Sequence, residues 1–113
     1  MSLLFELNNI FDMLGIPVET GVFSDVPPDE YVVLTPLSDS FPVYADNMPQ
    51  IETQEVRISL FSKGNYRARA RQITAALLAA DITVTGRRYI GYETDTSYHH
   101  YCIDLVNGYL CIY

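Results

Sequence analysis

The ten residues Gln54–Lys63, QEVRISLFSK, alternate in character. Val56, Ile58 and Leu60 fall on one side of an extended chain, and Arg57, Ser59 and Phe61 on the other. A period of two marks a half-buried strand, and such a strand needs an apolar layer against its inner face. Two segments can supply that layer. Leu4, Leu7, Phe11 and Leu14, with Leu3 and Ile10 beside them, recur at helical spacing. Ser2 can cap the start, and Gly15 followed by Pro17 stops it, so the pattern predicts an amphipathic helix over 3–14. After the break at Gly64-Asn65, Asn65 is placed to cap a second helix over 66–80. At about 100° per residue, Tyr66, Ala70, Ile73, Leu77 and Ala80 share its core side.

The remaining segments read as follows. Pro17–Glu30 is a loop, and YVVLTPL is a short strand ended by Pro36. The stretch 38–50 contains Pro42 and Pro49 and is a loop or an irregular edge strand. ITVTG and RRYIGYE are strand material around Gly86, TDTS is a turn, and YHHYCIDLV is another strand. Asn107-Gly108 lies between apolar runs and reads as a two-residue hairpin turn. That turn would pair Val106 with Tyr109 and Asp104 with Cys111, leaving Cys102 diagonal to Cys111, so no disulfide is expected. The order is α-β-(β)-β-α-β-β-β. It predicts an α+β fold, a mostly antiparallel sheet with two helices packed against it, as one domain over 1–113.

A formal net charge of -7 argues against a dedicated binder of nucleic acid or anionic membrane. No run approaches the roughly 20 apolar residues of a membrane span. The start MSLLFELNNIFDML lacks the basic residues and cleavage site of a secretory signal, and two reduced thiols suit the cytoplasm. His100, Cys102 and Asp104 share one strand face, with His99 on the other, but their spacing matches no zinc motif. No Gly-rich turn offers Cys102 an oxyanion hole, and no phosphate-loop, HExxH or GxSxG pattern is present. Asp25, Asp29, Glu30, Asp39 and Asp46 sit in loops without EF-hand spacing. Neither an enzyme nor a metal or cofactor site is expected; a metal-dependent enzyme built on His100 and Cys102 is the weakest reading.

Four of the seven basic residues, Lys63, Arg67, Arg69 and Arg71, crowd the start of the second helix, where the backbone dipole disfavours them. Arg67 and Arg71 lie one turn apart on one flank and Arg69 on the other, which does not suit a phosphate grip. Compensating carboxylates are expected, on the same subunit or the next. The second half, AALLAA, is apolar on every side. Either alanine serves there as a good helix former, or a second surface covers Ala75 and Ala79.

With its helix, strand, proline-broken loop FPVYADNMPQIETQEVRISLFSK, arginine-bearing helix and YIGYETDTSYHHYCIDL hairpin, the chain resembles the small tail completion proteins of long-tailed bacteriophages and prophages. These are the tail terminator, or tail-to-head joining, proteins. The resemblance spans Met1 to Leu105; NGYLCIY falls outside it. It implies a homo-oligomeric ring of six copies in the virion, at the tail-head junction. The ring contacts the major tail tube protein and the head-closure connector, and DNA passes through it unbound. No active site is implied. Arg67, Arg69, Arg71, Ala75 and Ala79, with Asp39 and Asp46 as acidic partners, are the expected subunit contacts. The alternative from another class is a soluble ligand-binding or regulatory domain with a pocket lined by Tyr89, Tyr92, Tyr98 and Tyr101.

Overall fold

A computed structural model describes residues 2–21, 27–45 and 48–110, the side chains of 41–50 excepted. Helix α1 (Leu3–Leu14) is followed by β1 (Val18–Thr20), β2 (Glu30–Ala45) and β3 (Met48–Ser62). Helix α2 (Tyr66–Ala79), β4 (Thr83–Glu93) and β5 (Tyr98–Leu110) complete the chain. The five strands form one sheet in the order β1-β2-β3-β5-β4. Only the short β1–β2 pair is parallel; the other three pairs are antiparallel. The fold is α+β, as expected. The strand material expected around Gly86 forms a single strand, β4, with register shifts flanking Thr85 and Ile90.

Both helices begin and end where their local chemistry directs. The Ser2 side chain accepts from the Phe5 amide, and Gly15 ends α1 in the left-handed region at φ 72°. The Asn65 side chain accepts from the Ala68 amide at the start of α2. Leu3, Leu7 and Phe11 of α1 and Ala70, Ile73 and Leu77 of α2 are buried. They meet Val32, Leu34, Val56, Ile58, Leu60, Ile103 and Leu105 in one apolar cluster. The alternation in β3 therefore points Val56, Ile58 and Leu60 at the helices. The opposite sheet face carries Tyr31, Phe61, Tyr98, His100 and Cys102. Ala80, expected in the core, is instead the exposed C-cap of α2.

Three further expectations are corrected. First, the segment expected as a loop at 17–30 contains β1, whose Val18–Thr20 pair with Val32–Leu34. Second, Pro36 does not end its strand. β2 continues to Ala45, with its register shifted between Pro36 and Ser38 and again near Val43. β1 covers β2 only as far as Leu34, so among the described residues the outer edge beyond it has no partner strand. A proline at an open edge or bulge is tolerated there. Asp39 accordingly lies in a strand, opposite Gln54, rather than in a loop, and Glu30 opens β2.

Third, Asn107-Gly108 is not a turn. β5 runs straight through it, with Asn107 opposite Gln54 and Gly108 opposite Thr53. The extension of β3 back to Met48 gives β5 a partner over its whole length, and that ladder overrides the local turn preference. Asp104 faces Arg57 rather than Cys111, and Val106 faces Glu55 rather than Tyr109. Cys111 lies outside the described residues. Gly108 has a packing reason of its own: a Cβ there would stand 3.3 Å from the Ile51 side chain.

Candidate functional site

The core face of α2 decides where its arginines go. With Ala70, Ile73 and Leu77 turned to the sheet, Arg67 and Arg71 project over β4 and β5, and Arg69 projects toward the start of β2. Arg69 is satisfied within the chain. Its Nε donates to Glu30 Oε1 at 2.6 Å and one terminal nitrogen donates to Gln72 at 2.7 Å. The expected carboxylate compensation thus comes from the same chain at this position.

Arg67 and Arg71 come together, as the helical spacing predicts. They line a cleft of about 310 Å³ with Tyr66, Ala70, Arg87, Tyr89 and Tyr101. The sheet register builds its floor: Arg87 stands opposite the buried Ile103, and Tyr89 opposite Tyr101. Tyr66 packs on Tyr89 and His99, with ring centroids 5.1 and 5.0 Å apart. The Tyr89 hydroxyl is 3.0 Å from His99 Nδ1, and the Tyr92 ring packs on His99 with centroids 4.9 Å apart. Arg67 Nε donates to the Tyr66 hydroxyl at 3.4 Å, which pushes its pKa up. Among the described residues no carboxylate pairs with Arg67, Arg71 or Arg87.

The expected tyrosine set divides between the two sheet faces. Tyr89, Tyr92 and Tyr101 belong to the helix face. Tyr98 is on the other, where its hydroxyl donates to the Pro28 carbonyl at 2.5 Å and its ring meets Tyr31 edge-on. Tyr66 and Arg87 join the cleft without having been singled out for it, and His99 packs on its Tyr66 and Tyr89 walls.

On the opposite face His100 stacks on Phe61, with ring centroids 4.3 Å apart, and its Nε2 is 3.5 Å from the Cys102 sulfur. Burial pushes the His100 pKa down. Asp104 is held by Arg57, and His99 points to the other face as expected. Among the described residues no group of three or more His, Cys, Asp or Glu side chains is arranged to hold a metal ion.

A second surface lies between the helices. Ile10, Met13, Leu14, Ala76, Ala79 and Ala80 line an apolar groove of about 290 Å³. Met13, in this lining, is 87% exposed. Ala79 is thus part of an apolar surface, and Ala75 is exposed nearby on the same helix. Asp39 is exposed on β2, and Asp46 lies outside the described residues.

No protein-family model and no curated protein matches this chain. Seventeen chains of solved structures do. One of them, whose name states no function, aligns with a TM-score of 0.52 at 16% identity, covering 94% of this chain and 87% of its own. That likeness concerns the fold alone.

Proposed function

We propose that this chain is a subunit of a homo-oligomeric ring that ends tail-tube polymerisation and joins the tail to the head connector of a long-tailed bacteriophage. The observation that carries the reading is the apolar groove between the helices, in whose lining Met13 is 87% exposed. A chain of 113 residues gains by covering such a surface with another subunit. The resemblance in element order and in the arginine-bearing helix supplies the identity of the assembly. The acidic balance fits a conduit that DNA passes without sticking, because like charge repels phosphate. In this reading the chain performs no chemistry, and its partners are itself, the tail tube protein and the head-closure protein.

Electron microscopy of the purified protein mixed with tail tubes tests the proposal. The expected result is a ring, free or seated on tube ends; bare tube ends with no rings in solution would count decisively against it.

The cleft of Tyr66, Tyr89 and Tyr101 favours a second reading, a ligand-binding domain for an anionic aromatic compound. A thermal-shift screen separates the two. A saturable shift of several degrees that Arg71→Gln and Tyr89→Ala remove would favour the ligand.

A further inference from the structure

The charges of this chain are segregated along it. All seven Lys and Arg residues lie between Arg57 and Arg88, whereas residues 1–56 hold ten of the fourteen acids and no base. The fold turns this into two separate surfaces. Arg67, Arg71 and Arg87 converge on the cleft beside β4, at one edge of the sheet. The outer half of the β2–β3 hairpin bears Asp39, Glu52 and Glu55 and, from residue 36 to 56, no cation at all. Among the described residues none of these three acids makes an ion pair.

The two surfaces cannot meet within one chain. Arg87 is level with Ile58 of β3 through Ile103 of β5. Glu52 lies six residues along β3 from that level, about 20 Å at the rise of a strand. Asp39 is on β2, three strand spacings from β4, or about 14 Å sideways as well as further along. Glu55 projects from the other face, next to Arg57 and opposite Val106. The molecule is correspondingly long, 54 × 27 × 24 Å.

We propose that the Arg67–Arg71–Arg87 cleft of one copy receives the Asp39 and Glu52 side of the β2–β3 hairpin of a second copy. Arginine suits the role, since its planar fork of donors grips carboxylates in pairs. The tyrosine walls exclude water from one side of those pairs. Because the two surfaces lie toward opposite edges of the same sheet, the contact is heterologous: each copy offers its cleft to one neighbour and its hairpin to another. Repeated contacts of this kind close into a ring or continue as a filament. The inference rests on the ring reading above and deepens it by naming the seam.

The test uses two full-length variants. In one, Arg67→Glu, Arg71→Glu and Arg87→Glu reverse the cleft; in the other, Asp39→Lys and Glu52→Lys reverse the facing side of the hairpin. Circular dichroism and melting confirm that each is folded, and Arg→Gln with Asp→Asn and Glu→Gln replacements serve if a reversal is not. Sedimentation equilibrium at low salt should show wild-type self-association weakened about tenfold or more in either variant alone, as expected for several opposed charges brought together. An equimolar mixture of the two reversed variants should associate again. Failure of the mixture to pair overturns the proposal, as does wild-type association that both variants retain. Binding of a labelled single-stranded oligonucleotide that the cleft variant loses, with no pairing in the mixture, overturns it in favour of a phosphate site. The two readings fail separately. A cleft-reversed chain that still caps tail tubes sinks the seam and leaves the ring; reversed variants that pair while no chain caps tubes sink the ring and leave the seam.

Discussion

Arg57 and Asp104 stand directly opposite each other on β3 and β5, joined by two hydrogen bonds of 2.7 and 3.1 Å on the sheet face away from the helices. The guanidinium holds the Asp104 carboxyl below the usual carboxylate range, chiefly through those hydrogen bonds. A depressed folded pKa contributes stability that is present above the unfolded value and lost as pH falls through the folded one. Both side chains are about a third exposed, so solvent screening limits the pair. Asp104→Asn is therefore expected to cost about 0.5–1 kcal/mol at pH 7 and less at about pH 3, as the carboxyl begins to protonate. Urea unfolding of both proteins at the two pH values checks it; an equal deficit at both would show that packing, not charge, sets the effect.

At the far end of β5 the sign of the pH dependence is reversed. The Tyr109 hydroxyl donates to Glu6 Oε2, tying β5 to α1, and Asn107 Nδ2 donates to the same oxygen at 3.4 Å. Burial and then the Glu6 hydrogen bond push the Tyr109 pKa up to about 12. A raised folded pKa contributes stability that is complete below the unfolded value of 10.0 and lost as pH rises from there through about 12. Tyr109→Phe should be less stable than wild type at pH 8, and the gap should narrow between pH 10 and 11.5. Parallel denaturation curves at those pH values measure it.

The core argument yields the largest number. Leu77 is fully buried on the inner face of α2, in the cluster that joins both helices to the sheet. Leu77→Ala removes that side chain and leaves a cavity, at a cost of about 2–5 kcal/mol. Leu78→Ala, one residue on and 58% exposed, should change the stability of the isolated chain by less than about 0.5 kcal/mol. Equal losses from the two substitutions would mean that α2 sits on the sheet in a different rotation.

How much of this was legible in the sequence depended on the range of the determining interaction. α1, its Ser2 and Gly15 caps, the Asn65 cap and the alternation of β3 are set by neighbours within a few residues, and they read correctly. Pro36 and Asn107-Gly108 misled because their local preferences are strong but their strands have long partners: β3 supplies register to β2 and β5 as far as Met48 and Leu110. The shared flank of Arg67 and Arg71 followed from helical geometry. Arg87 and Tyr66 could join them only once the β4–β5 register was known, because it places Arg87 and Tyr89 under α2. One signal for that cleft was present throughout, the confinement of every cation to residues 57–88.

The apolar groove permits the last prediction, because Ala79 and Met13 in its lining are exposed in the folded chain but central to the proposed ring. Ala79 lines the groove yet is exposed, and Met13 is 87% exposed. Placing carboxylates there by Ala79→Glu or Met13→Asp meets water in the isolated chain, so stability should move by less than about 1 kcal/mol. In an assembled ring the same carboxylates would be buried against apolar surface without a partner, which costs several kcal/mol per site. Urea unfolding should therefore leave both variants near wild type, while electron micrographs of the variants with tail tubes show few or no capped ends. Normal capping by both variants would mean that the ring leaves the groove uncovered, and a large loss of stability in either would place these side chains in the monomer core.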